Sequence, residues 1–216
     1  ELIINHLSKL TPDIPIISEE NAHIPFELRS NWKQYWLVDP IDGTKEFLAK
    51  NGEFTVNIAL IQDDAPVIGL VGVPVQNTIY YAIKNQGAWK TTAGKTIFLK
   101  SKKFNPTEGI KILTSRSHKN PTGTKIHALF PNTSVIQCGS SLKFCLLAEG
   151  IADIYPRLAP TCEWDTAAGQ CILEASGGKV LDLKSNSLQY NMKDSFLNPH
   201  FLAIADPENN WHQFFI

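Results

Sequence analysis

Residues 36–44 read Trp36-Leu37-Val38-Asp39-Pro40-Ile41-Asp42-Gly43-Thr44, and this stretch decides where the chemistry of the chain sits. Tyr35 to Asp39 is an apolar, β-prone run that reads as a strand. Pro40 lacks the N–H a sheet ladder needs, so the strand is expected to stop at Asp39. Asp42 follows three residues later, and Gly43 permits a sharp turn. Two carboxylates joined by a short turn at the mouth of a strand suit hard cations, and the Ile41 carbonyl can supplement them. Thr44 then begins a short helix through Lys50, with its hydroxyl and first backbone N–H groups placed to face an anion. On spacing alone the same letters also describe an ordinary D-P-x-D-G loop turn.

Working outward, further acidic residues gather around this stretch. Upstream, Ile14 to Ser18 is a short apolar strand that delivers Glu19 and Glu20 at its end. Far downstream, Asp165 stands at the start of a helix expected over Trp164 to Ala175, where by itself it also fits a plain N-cap. Between them, Phe54 to Gln62, Pro66 to Val73 and Thr78 to Lys84 are strand candidates separated by turn residues, which predicts an antiparallel sheet. Residues 1–10 place Ile3, Leu7 and Leu10 on one helical face, so the sequence is expected to begin inside a helix.

The pattern changes after the polar stretch 101–109. Strands at Ile110 to Thr114, Ser134 to Cys138, Ala152 to Tyr155, Lys179 to Leu183 and Phe201 to Ala205 alternate with helices at Pro121 to Phe130, Ser140 to Ala148 and Trp164 to Ala175. Such alternation favours an α/β layer. Two closely packed halves are therefore expected, 1–108 with most of the acidic residues and 109–216 with Asp165, facing each other across a cleft.

Composition narrows the partners. The 216 residues carry a formal net charge of -1 and no long run of like charge, so the basic surface of a nucleic-acid-binding protein is missing. A small anionic ligand needs only a few placed Lys or Arg side chains. No apolar run is long enough to span a bilayer as a helix. Cys138, Cys145, Cys162 and Cys171 form no C-x-x-C pair and have no histidine at zinc-finger spacing. They read as reduced core residues, and with no signal peptide at the start a cytoplasmic location is expected.

At these residues the chain resembles the inositol monophosphatase family of metal-dependent phosphatases. The pattern W-x-[IV]-D-P-[IL]-D-G-T is met by Trp36 to Thr44 and W-D-x-A-A-G by Trp164 to Gly169, in the family's order and with a Glu-Glu pair upstream. Lys45-Glu46-Phe47, Asn51 to Leu60, Ser115 to His118, Gly139 to Cys145 and Ser195 to Pro199 extend the likeness toward the family's 3'(2'),5'-bisphosphate nucleotidases. The resemblance implies a layered αβαβα sugar-phosphatase fold and a magnesium-dependent enzyme using two or three Mg2+ ions. The reaction it implies removes the 3'-phosphate of adenosine 3',5'-bisphosphate, giving AMP and phosphate.

Carried over by position, Glu19, Asp39, the Ile41 carbonyl, Asp42 and Asp165 are the implied metal ligands, with Glu19 preferred to Glu20. Glu19, Asp39, Asp42 and Thr44 are the implied catalytic residues. Gly43 and Thr44 form the implied phosphate-binding turn, and His118, Ser140, Lys143 and Arg157 the implied nucleotide contacts. A homodimer stays open. Family members also carry more N-terminal helix, with an S-P-[VL]-T-x-A-D segment whose acidic residue is implied to help bind a metal or activate the water, and the present sequence does not include it. Two other readings remain: an inositol-phosphate or sugar-bisphosphate phosphatase of the same family, and a non-catalytic anion-binding domain.

Overall fold

The computed structural model describes residues 1–116, 132–209 and 211. The expected helix at 121–130 lies outside them, as does His118.

One sheet is built from seven strands in sequence order: β1 (Ile16–Ser18), β2 (Gln34–Asp42), β3 (Thr55–Gln62), β4 (Ala65–Val73), β5 (Thr78–Ile83), β6 (Gly87–Thr92) and β7 (Lys95–Leu99). All neighbours are antiparallel except the β1–β2 pair. The first five strands match expectation closely; β6 and β7 extend the meander through residues whose polar character does not announce strands. The second sheet has five strands in the order β11-β12-β10-β8-β9, formed by β8 (Lys111–Ser115), β9 (Ser134–Cys138), β10 (Ile154–Arg157), β11 (Lys179–Asp182) and β12 (Phe201–Ile204).

Helices fill the layers. Helix α1 (Leu2–Leu10) lies on the outer face of the seven-stranded sheet, where Leu7 joins Trp36, Val38 and Leu60 in one apolar cluster. Trp36 Nε1 donates to Thr11 Oγ1 at 2.9 Å, tying the end of α1 to β2. Two short helices follow, α2 (Phe26–Arg29) and α3 (Thr44–Leu48). Between the sheets lie α4 (Leu142–Ala148) and α5 (Glu163–Ala175), whose side chains share a core with Tyr35, Leu37, Ala59 and Ile61 from one sheet and Leu113, Tyr155 and Phe201 from the other. The far face of the five-stranded sheet packs Ile112, Ile154, Leu202 and Ile204 around Trp211. The described layers thus run helix, sheet, helix pair, sheet.

Strand β2 corrects one expectation. It does not stop before Pro40 but continues to Asp42. Asp39 pairs with Asn57 and Asp42 with Thr55, so three steps on β2 match two on β3. That is a β-bulge, which accommodates a proline within a paired strand.

Candidate active site

The bulge explains why two aspartates three apart can act together. In a regular strand, residues i and i+3 face opposite sides. Tyr35 and Leu37 point to the inner core while Trp36 and Val38 point outward, which sends Asp39 inward. The extra residue in the bulge returns Asp42 to that same side, opposite Thr55 where Asp39 is opposite Asn57. Helix α5 packs against the inner face, and its first turn brings Asp165. Carboxylate oxygens of Asp39, Asp42 and Asp165 all lie within 4.8 Å of one another.

Each member is held by the backbone. Asp39 Oδ1 accepts the Ile41 N–H at 2.9 Å, which shapes the bulge. Asp42 Oδ2 accepts from Thr55 Oγ1 at 3.3 Å, from Asn57 Nδ2 at 3.4 Å and from the Ser141 N–H. The N-cap of α5 is Cys162 rather than Asp165; Asp165 is its third residue and its Oδ2 accepts the Cys162 N–H at 2.8 Å, the reach-back half of a capping box, while it also belongs to the trio. Glu19, in the one-turn 3-10 helix that follows β1, lies outside the tight trio and joins it by a hydrogen bond with Asp39. Ile41 sits within the bulge, between the two aspartates.

Electrostatics state what the trio lacks. Burial first, then the charges of Asp42, Glu19 and Asp165, push the Asp39 carboxyl up to about 10. Burial and the neighbouring Asp42 push Asp165 up to about 7. Asp42 is raised chiefly by burial, against the opposing pull of Lys143 and its hydrogen-bond donors; Glu19 is raised by burial despite its bond to Asp39. Carboxylates crowded this closely hold protons unless a cation neutralises them. An all-oxygen donor set of this kind fits a hard divalent ion.

The trio opens on a cleft of about 300 Å³ lined by Asp42, Gly43, Thr44, Lys143, Arg157 and Asp165, among others. Gly43 is left-handed at φ +85°, and a Cβ there would stand 3.1 Å from Glu46 Oε2 and 3.3 Å from Ser140 Cβ, so the turn requires glycine. Thr44 follows as the first residue of α3. Lys143 is buried in α4, its Nζ donating to the carbonyls of Cys138 and Ser140 and lying 5.0 Å from the Tyr155 ring centre. Burial pulls its ammonium pKa down. Arg157 at the end of β10 donates to the Ala159 and Pro160 carbonyls at 3.1 and 2.8 Å. Ser140 lines the cleft too, and its hydroxyl donates to the Glu53 carbonyl. Thus every expected site residue among those described, apart from Glu19, Asp39 and Ile41, lines this one cleft, and the Asp39 carboxylate adjoins it through the trio.

The sequence reading did not single out Thr55, Asn57 and Ser141, which hold Asp42. Ser141 Oγ donates to Asn57 Oδ1 at 2.6 Å and lies 2.8 Å from Thr55 Oγ1. The alternation of buried Thr55 and Asn57 with apolar residues on β3 was the one available signal, since polar groups on a core-facing strand need partners.

In class, this is a layered α/β phosphatase fold with an acidic centre shaped for a cation. The chain belongs to the inositol monophosphatase family, whose model matches residues 1–214. It is 46% identical over 200 residues to the 3'(2'),5'-bisphosphate nucleotidase CysQ of Salmonella typhimurium, covering 93% of this chain and 79% of that protein. The nucleotidase of the same name from Buchnera aphidicola is 46% identical over 208 residues, covering 94% and 76%. Among solved structures, CysQ from Bacteroides thetaiotaomicron superposes with a TM-score of 0.84 at 38% identity, covering 93% of this chain and 81% of that one. The inositol monophosphatase of Anabaena shares the fold at a TM-score of 0.80 and 21% identity, covering 99% and 82%. No helix among the described residues is long and apolar enough to cross a membrane.

Proposed function

We propose that this chain is a magnesium-dependent phosphomonoesterase that hydrolyses the 3'-phosphate of adenosine 3',5'-bisphosphate to AMP and phosphate, in the cytoplasm. The observation that carries the reading is the carboxylate trio, within 4.8 Å and opening on a cleft that also presents Lys143 and Arg157. Its likeness to CysQ nucleotidases at 46% identity supports the nucleotide over an inositol phosphate.

Glu19, Asp39, Asp42, Asp165 and the Ile41 carbonyl would hold the ions. Bound divalent cations supply charge neutralisation for a phosphate dianion and lower the pKa of bound water. Thr44, beside Asp42, aligns the attacking water through its hydroxyl. The Gly43–Thr44 turn receives the scissile phosphate, and Lys143 and Arg157 face the substrate's remaining negative charge. The water oxygen bonds to phosphorus and gives up a proton as the bond to the 3'-oxygen breaks, and the 3'-oxygen takes up a proton, so one water in gives AMP and phosphate out. Ser140 and His118 are proposed nucleotide contacts.

Phosphate release from adenosine 3',5'-bisphosphate, with and without Mg2+ and beside inositol 1-phosphate, tests this. Mg2+-dependent turnover of the nucleotide is expected. Preferential turnover of inositol phosphate would overturn the substrate, and turnover of neither would overturn the activity.

A further inference from the structure

Asp42 owes its orientation to a turn on the other side of the cleft. The turn Gly139-Ser140-Ser141 joins β9 to α4 and delivers the Ser141 N–H to Asp42 Oδ2. It is a demanding piece of backbone. Ser140 is left-handed at φ +49°, an uncommon conformation for serine. At Gly139 an added Cβ would come within 2.4 Å of Glu46 Cγ, so the two segments touch. Something must hold the turn in place.

The segment that does so comes from residues 50–54, ahead of β3. Glu53 Oε2 accepts the Gly139 N–H at 2.8 Å. The Glu53 carbonyl accepts from Ser140 Oγ. Arg116, at the end of β8, grips the same carboxylate with two donors, Nε to Oε2 at 3.0 Å and Nη2 to Oε1 at 2.6 Å, and Nη2 also reaches the Gln137 carbonyl at 3.2 Å. Burial raises the Glu53 carboxyl, but the bonds from Arg116 and Gly139 outweigh it and hold it below its usual range. A half-exposed Arg–Glu pair contributes little stability by itself. Its value lies in what it fixes.

We propose that Glu53 is a positioning residue for the metal site: clamped by Arg116, it fixes the 139–141 turn and through Ser141 sets the direction of the Asp42 carboxylate. The role rests on the proposed phosphatase reading only for its catalytic consequence; its effect on cation binding stands apart.

The test compares Glu53→Ala and Glu53→Gln with Glu149→Gln, which removes the charge from the Glu149–Lys90 ion pair near the opposite end of α4. Mn2+ binding to the metal-free full chain is read by electron paramagnetic resonance. The Mg2+ dependence of phosphate release, KM for the nucleotide and the melting temperature are read alongside. Glu53→Ala is expected to weaken Mn2+ binding about tenfold and to raise the half-saturating Mg2+ by a similar factor, as losses of outer metal-site partners do. Glu53→Gln, which keeps an acceptor for Gly139, should recover part of the Mn2+ affinity; KM is read alongside because the same turn carries Ser140. Glu149→Gln should leave Mn2+ binding intact. Unchanged Mn2+ affinity in both Glu53 variants, or an equal loss in Glu149→Gln, would overturn the proposal. A parent chain that binds Mn2+ but turns over no nucleotide would sink the proposed function while the Mn2+ comparison still decides the role of Glu53.

Discussion

At the scale of single residues, the site is a compromise between stability and charge. Asp39 sits among like charges in a buried strand, and its carboxyl is held far above its ordinary range. Removing that carboxylate therefore has opposite effects on stability and on rate. Asp39→Asn is expected to raise the melting temperature of the metal-free protein at pH 8, where folding must otherwise return a proton to this carboxyl, by about 2–4 °C for each kcal/mol of that cost removed. The same variant should lower phosphate release by at least about a thousandfold, the equivalent of several kcal/mol of lost charge stabilisation. Calorimetry in EDTA and a phosphate assay on one preparation check both halves. The aspartates were legible because D-P-x-D-G is a local pattern. Ser141 was not, because it reaches Asp42 from 99 positions away and a backbone N–H leaves no mark in the sequence.

At the scale of elements, β2 and α5 do most of the positioning. The sequence reading ended β2 at Asp39 because the proline that follows cannot donate to a ladder; the bulge makes that missing donor tolerable and turns Asp42 inward. Strands β6 and β7 were not read at all. Along β7 four of five residues are exposed, so the edge strand lacks the inside–outside alternation that reveals a strand. Helix α5 was legible from its apolar run, and the structure explains the glycine in its opening W-D-x-A-A-G. A Cβ on Gly169 would lie 2.5 Å from Phe144 Cδ2 and 2.8 Å from its Cβ, so α4 and α5 cross at a point with no room for a methyl group. Alanine is the better helix former by about 1 kcal/mol. Even so, Gly169→Ala is expected to cost a net 1–3 kcal/mol, roughly, through overpacking. Urea unfolding checks the sign; a stabilised variant would show that the two helices part freely.

At the scale of the whole molecule, the acidic centre sets how stability responds to pH and to cations. Asp165 at about 7 and Asp39 at about 10 lie above the ordinary carboxyl value of 3.8. A group raised in this way adds stability that is fully present below its unfolded pKa and is lost as pH rises through the folded one. The metal-free protein should therefore lose stability from about pH 4 through 7 and on toward 10. A cation takes the place of those protons, so Mg2+ should raise the melting temperature more at pH 8 than at pH 5.5. Thermal scans at both values, with EDTA or Mg2+, check the difference; an equal shift at both would contradict it. The order of elements made an antiparallel half and an α/β half legible, while the layering was implied by the family resemblance rather than by any local pattern. The meeting of both sheets on one core was not, because it depends on contacts such as those of α5 with β3 and β4, more than ninety residues earlier in the chain.

That long reach has a consequence for how the protein comes into being. Asp39 and Asp42 leave the ribosome early, while the third carboxylate arrives only with Asp165. A nascent chain can build the seven-stranded meander from neighbours in sequence, since domains assemble from the N-terminal side as synthesis proceeds. Until α5 docks, that sheet carries two aspartates with no third partner. In the growing polypeptide the carboxylate trio is thus incomplete until α5 has been made and docked.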